Sequence, residues 1–200
     1  KKTLEIESYF SKKIIKRDSL MVNSGSSANL LIFQALVNPK LNLLKKGDKI
    51  LIPAICWSTS LWPIIQSGLK PIFVDIDKKT LNISILDLKK KINKKVKGLM
   101  LVHALGNCTE MSEILKICKK KKLILIEDAC EAMGSKYKNK YLGTFGEFSS
   151  FSFYSSHQIS SGEGGMITAR SLEDYEILKA LRAHGWSRDR DDHKKILRKN

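Results

Sequence analysis

Apolar runs of strand length recur along the chain at 19–23 ("SLMVN"), 49–53 ("KILIP"), 71–76 ("PIFVDI"), 98–105 ("GLMLVHAL") and 122–128 ("KLILIED"). Between them lie 26–37 ("SSANLLIFQALV"), 84–92 ("SILDLKKKI") and 109–121 ("TEMSEILKICKKK"), where apolar residues return every three or four positions, as on one face of a helix. Strand and helix alternating through short connections is the pattern of βαβ units. It predicts an α/β domain with a mainly parallel sheet and helices on both faces. The later segment 143–154 ("GTFGEFSSFSFY") reads as a glycine-bounded hairpin running into a buried strand. From 171 onward the pattern predicts a helix to about Ala183, then a polar, mobile stretch with solvated arginines and aspartates.

Ligands of such sheets collect at the carboxyl ends of the strands, so the residues following each run are the first candidates for chemistry. After the first run, "SGSSAN" opens a helix with a glycine and small hydroxyl residues. Amides in a helix's first turn lack intrahelical partners, which makes an anion site to which Ser26 and Ser27 add hydroxyl donors. Ordinary N-capping is the commoner explanation of this segment taken alone. After the second run, "AICWSTS" puts Trp57 at the same edge, where its face can stack on an aromatic ring; a lone tryptophan is more often core. Asp75 and Asp77 read as turn and cap residues, and His103 as a satisfied buried histidine. The run 122–128 leads into "EDACEAMGS", with Glu127, Asp128 and Glu131 within five residues, so their repulsion calls for a cationic partner. A protonated pyridine nitrogen would serve for Asp128, and a helix N-cap is the plain alternative. The segment 143–154 and its continuation carry Ser152 and His157 to this edge.

With 42% hydrophobic residues among 200, the chain can bury one sizeable core. Its +16 formal charge, from 36 basic and 20 acidic residues, raises the question of nucleic acid. The distribution argues against it: the excess is nearly all lysine, concentrated in "KKKINKKVKG" and "CKKKKL" at helix ends, without interleaved aromatics to stack on bases. Cys56, Cys108, Cys118 and Cys130 form no CxxC pair and lie in or beside apolar segments, as expected of reduced thiols in the cytoplasm. No run approaches the roughly 20 apolar residues of a membrane span. The first residue is Lys1 and the last lie in a charged helical pattern, so the chain is expected to be part of something longer.

Five stretches taken in order, "NSGSSANL", "GDKILIPAICWSTSLWPIIQSGLKPIFVDID", "IEDACEAMGS", "GTFGEFSSFSFYSSHQISSGEGGMI" and "LRAHGWSRD", resemble the DegT/DnrJ/EryC1/StrS sugar aminotransferases. These are pyridoxal-phosphate (PLP) enzymes of the type I aspartate aminotransferase fold. The resemblance implies that 1–200 form an incomplete large PLP-binding domain, with the small C-terminal domain outside this chain. It further implies that Ser26, Ser27 and Ser152 hold the cofactor phosphate, Trp57 stacks on the pyridine ring, and Asp128 pairs with the ring nitrogen. Glu131 stands where these aminotransferases have glutamine near the ring hydroxyl. Family members are dimers, so a homodimer is expected.

The departure is His157, which occupies the register of the family's cofactor-bonding lysine, fixed by the flanking "SFSFYSS" and "GEGG". Imidazole cannot hold the cofactor covalently, so pyridoxamine phosphate bound without a covalent link is expected. A histidine here, and "LGN" at 105–107, are similar to the family's NDP-4-keto-6-deoxyhexose 3-dehydratases of deoxysugar and lipopolysaccharide O-antigen synthesis. One kind of these carries a [2Fe–2S] cluster. Cys130 matches one of its cysteines, but no cysteine follows it, and cluster ligation takes about four thiolates, so neither cluster nor other metal is expected. The other kind uses glutamate to regenerate the aminated cofactor. His157 is then the base: an imidazole, with a reference pKa of about 6.5 against about 10.4 for lysine, is largely neutral near pH 7 and can take and return a proton. The alternatives are a nucleotide-sugar aminotransferase using another base, which the lack of lysine between Lys140 and Lys179 opposes, and a non-catalytic relative. His184 and His193 carry no assignment.

Overall fold

The computed structural model describes residues 2–197. Helix α1 (Lys2–Tyr9) runs on as a π-helical turn (Phe10–Ile15) into β1 (Asp18–Val22). There follow α2 (Gly25–Leu36), β2 (Lys49–Pro53), α3 (Ser58–Gln66), β3 (Lys70–Val74), α4 (Ile85–Lys91), β4 (Val96–Val102), α5 (Met111–Lys121) and β5 (Ile124–Asp128). The small strands β6 (Lys136–Tyr137) and β7 (Lys140–Tyr141) precede β8 (Phe148–Ser152), β9 (Gly165–Ala169), α6 (Leu172–Arg182) and α7 (His193–Leu197). The main sheet has seven strands in the order β1-β9-β8-β5-β4-β2-β3. Strands β8, β5, β4, β2 and β3 are mutually parallel, and β9 runs antiparallel to both β8 and β1.

Alternation along the strands explains why both faces must be covered. In β4 and β5, Leu99, Leu101 and Leu125 join one apolar cluster, with Leu88 of α4, Met111 and Ile114 of α5, and Phe10 of the π-helical turn. Met100 and Ile126 join the other, with Ala28 and Ile32 of α2, Ile64 of α3 and Ile177 of α6. The lysine runs sit as their helix-end positions predict: Lys89, Lys90 and Lys91 close α4, Lys119, Lys120 and Lys121 close α5, and left-handed Lys122 (φ 54°) caps the latter.

Two expectations need correction. The segment from Gly143 is not the start of a hairpin. It is a loop, and the hairpin of the main sheet is β8 with β9, the unpredicted strand that follows the His157 loop. Its antiparallel direction goes with a connection, residues 153–164, that holds no helix and returns as a loop. The stretch after Ala183 is not simply solvated: Lys179 Nζ lies 3.1 Å from both Glu176 and Asp191, and Arg190 makes two 2.7 Å bonds to Asp192. Residues 198–200 of that stretch lie outside the described residues. The N-terminal helix carries no strong apolar stripe, and it is held by one buried acid, Glu7. Among the described residues no helix is long and apolar enough to cross a membrane.

Candidate active site

The carboxyl ends of β1, β2, β5 and β8 converge on the first turns of α2 and α3. Ser24 is the N-cap of α2, its hydroxyl accepting the Ser27 N–H at 3.1 Å and donating to the Ser27 hydroxyl. The capping alternative is therefore correct for Ser24, which leaves the amides of Gly25 and Ser26 at the open first turn without intrahelical acceptors. The Ser26 hydroxyl donates to Thr59 at 3.1 Å, tying α2 to the start of α3. Two residues before Thr59, Trp57 occupies the N-cap position of α3 and is 75% exposed, so it is not the core tryptophan of the plain reading.

Close packing brings Ser152 to the same turn. Phe151 of β8 and Phe153 just after it enter the cluster over α5, while Ser152 faces α2. A Cβ added to Gly25 would lie 2.8 Å from Ser152 Cβ and 2.8 Å from Cys130 Sγ; one on Gly165 would lie 2.4 Å from the Ser24 carbonyl. Only glycine permits these approaches. Ser26, Ser27 and Ser152 thus surround one helix N-terminus.

Glu127 and Asp128, adjacent in β5, point to opposite faces, so they do not form the single acidic cluster that the sequence implies. Glu127 is fully buried. Its Oε2 accepts Gly143 N–H and faces His103 Nε2, each at 2.9 Å, and its Oε1 accepts Phe145 and Gly146 N–H at 2.6 Å. Burial alone would push this carboxyl up, but the His103 hydrogen bond and charge and the Gly146 and Gly143 N–H groups outweigh it and hold it below the ordinary carboxylate range. His103 is buried as expected, but only half satisfied, since among the described residues its Nδ1 has no partner. Asp128, also buried, is held on the α2 face by Asn29, Ser60 and the Cys130 N–H.

Glu131 accepts the N–H of Leu105 at 2.8 Å. Leu105 is 74% exposed and left-handed (φ 54°), an unusual conformation for a residue with a Cβ, so this loop is held against its own preference. The Glu131 carbonyl accepts from Gln158 Nε2 at 2.6 Å, which fastens the loop between β8 and β9 beside His157. That loop is closed at its base by Phe153 N–H to Gly164 and Ser161 N–H to Phe153, both 2.9 Å. His157 is half-buried, its ring edge-on to Tyr154 at 6.3 Å, and its N–H completes a turn to the Tyr154 carbonyl. Asp75 and Asp77 accept turn amides, as expected. Burial, then the Asp128 charge, push the Cys130 thiol well up, which keeps it a thiol and a poor metal ligand.

Sequence reasoning missed Asn29, Ser60 and Thr59. Their signal was present as polar residues at inward helical positions, Asn29 within an otherwise apolar face and Ser60 three residues after Trp57.

Residues 1–198 match the DegT/DnrJ/EryC1/StrS aminotransferase family. The chain is 44% identical over 192 residues to GDP-4-keto-6-deoxy-D-mannose 3-dehydratase of Escherichia coli O55:H7, covering 96% of this chain and 50% of that protein. Among solved structures, the E. coli GDP-4-keto-6-deoxy-D-mannose-3-dehydratase with bound hydrated PLP superposes with a TM-score of 0.91 at 44% identity, over 94% of this chain and 49% of that one. A GDP-4-keto-6-deoxymannose-3-dehydratase with a trapped PLP-glutamate geminal diamine gives the same TM-score, 0.91, and identity, 44%, over 94% and 49%. The chain spans about half the length of the curated relatives it matches.

Proposed function

The chain belongs to the DegT/DnrJ/EryC1/StrS aminotransferase family, and from that premise we propose that it is the cofactor-binding part of a 3-dehydratase. Its substrate is a nucleotide-linked 4-keto-6-deoxyhexose, a GDP-sugar by similarity to the dehydratases above. Residues 1–200 are an incomplete large domain, paired with a second copy in a cytoplasmic homodimer that serves deoxysugar and lipopolysaccharide synthesis. Pyridoxamine phosphate, interconverted with PLP, is the cofactor, and glutamate is the amino donor.

The residues present fit that cofactor. A phosphate suits the open first turn of α2, where Gly25 and Gly165 give the backbone room and Ser26, Ser27 and Ser152 stand around it. The exposed face of Trp57 suits a ring, and Asp128 is an acceptor for its nitrogen. When bound, the cofactor supplies an amine to condense with the 4-keto group and a ring to hold electrons. His157 takes the proton from the cofactor's methylene carbon and delivers it to the departing oxygen at sugar carbon 3. Glu131 orients the two loops beside it. Water then releases a 3,6-dideoxy-4-keto sugar and ammonia, and glutamate, oxidised to 2-oxoglutarate, restores the amine.

The observation that carries this reading is histidine in the lysine register, on a loop pinned at both ends. The test is to incubate the intact protein with PLP, glutamate and GDP-4-keto-6-deoxymannose. Ammonia release with loss of the carbon 3 hydroxyl is expected, and an amino sugar as product would overturn the reading. His157→Lys is expected to abolish dehydration and to permit borohydride trapping of the cofactor; full dehydratase activity in that variant would refute the role of His157.

A further inference from the structure

The Asp128 carboxylate is held by two helices and by the turn that follows it. Asn29 Nδ2 of α2 donates to Oδ2 at 2.9 Å, Ser60 Oγ of α3 donates to Oδ2 at 2.7 Å, and the Cys130 N–H donates to Oδ1 at 3.1 Å. A carboxylate offers about four acceptor positions. Both on Oδ2 are filled and one on Oδ1 is taken, so the position left is on Oδ1. The Asn29 amide shows that this arrangement is imposed. Only its NH2 end can donate to Asp128, and turning that end inward leaves Asn29 Oδ1 buried with no partner among the described residues, an arrangement structures normally avoid. Asn29 is itself 1% exposed and Ser60 1% exposed, so neither bond is shared with bulk water.

Ser60 has a second consequence. Its own N–H bonds the Trp57 carbonyl at 3.0 Å, so the hydroxyl that fixes Asp128 belongs to the turn that presents Trp57. One side chain thereby sets the direction of the carboxylate relative to the indole.

We infer that Ser60 and Asn29 are positioning residues that clamp Asp128 so that a single acceptor position, on Oδ1, meets a ring N–H lying against Trp57. The inference rests on the PLP reading above, and the two are tested separately by comparing PLP with its 1-deaza analogue, in which CH replaces the ring nitrogen. Binding of both to the intact protein is measured by absorption and fluorescence titration for wild type, Ser60→Ala and the conservative Ser60→Thr, with Asn29→Ser as a second route to the same loss.

Ser60→Ala is expected to weaken PLP binding about tenfold, the size of one charge-assisted hydrogen bond, and to leave the affinity for the deaza analogue unchanged. Ser60→Thr restores PLP binding. A hydroxyl needed only for folding would weaken both ligands equally, and that result, or no loss with either, overturns the inference. If wild type binds neither ligand, the cofactor reading itself falls and the clamp with it.

Discussion

Two neighbouring acids in β5 show how a one-residue step along a strand separates chemistry from architecture. Asp128 turns toward α2 and α3, where Asn29 and Ser60 donate to it. Glu127 turns into the opposite core and spends its oxygens on His103 and three loop amides. That loop leads into β8, so the buried carboxylate sets where Ser152 and the His157 loop begin. A group held below its ordinary value in the folded state contributes stability at pH above the unfolded carboxylate value, about 4.3, and that contribution is lost as pH falls toward the folded value. Glu127→Gln should therefore cost about 3 kcal/mol at pH 7, because His103 and at least one amide lose a charged partner. It should also lose less further stability than wild type as pH falls below about 4.3. Urea titrations at a series of pH values check this, and parallel profiles for the two proteins would contradict it. Neither acid's role is distinguishable from the letters "ED" alone, since both would follow an apolar run whichever face they occupied.

At the scale of elements, the close seat of α2 on β9 fixes where the first turn of α2, the proposed phosphate site, lies against the sheet. Gly165 lies where a methyl group would enter the Ser24 carbonyl and approach Gly25 N to 2.7 Å. Gly165→Ala should force the first turn of α2 away from the sheet, at a stability cost of about 1–3 kcal/mol typical of overpacking, and weaken PLP binding with it. Calorimetry and a cofactor titration on the same variant test both halves, and unchanged PLP affinity would mean that the seat does not govern the site. The parallel strands and their helices were legible because each is a short apolar run or a helical stripe bounded by turns. Strand β9 was not, since "GMITA" has only Met166 and Ile167 as large apolar residues and follows a polar, glycine-rich loop; it is recognised by its pairing with β1 and β8. The α1 helix was also illegible, because its fixing contact is to residues far along the chain. Within the site, the serines, Trp57 and Asp128 are candidates from their places after strands, whereas His157 stands out only through the family resemblance that gives its loop a register. The Asn29 and Ser60 contacts could not, because they depend on how two helices rotate against β5.

For the molecule as a whole, the open sheet leaves two edges, and on each, charged side chains engage free backbone groups. On β1, Glu7 accepts the Met21 N–H at 2.8 Å, and Arg182 donates to the Met21 carbonyl at 3.0 Å and to Glu7 at 2.7 Å. On the far edge, Lys91 donates to the Phe73 carbonyl at 2.7 Å and Asp87 accepts the Asp75 N–H at 2.7 Å; that bond, before the one to Lys91, holds the Asp87 carboxyl below its ordinary value. Unpaired strand edges invite association with another chain, and charged groups seated on them prevent it. The two devices differ in what their loss exposes. Glu7 is 4% exposed, so Arg182→Ala strands a buried charge and loosens α1 from β1 and α6 together. Breaking a fully buried pair costs about 3–5 kcal/mol, and because Arg182 is itself partly exposed the expected loss is about 2 kcal/mol. Lys91→Met acts at a half-exposed pair and should change stability by less than about 1 kcal/mol. Urea unfolding compares the two, with light scattering to follow association. The Arg182 variant should unfold earlier and self-associate as β1 becomes accessible, whereas equal losses at both edges would show that burial of Glu7 is not what makes the first edge the more sensitive.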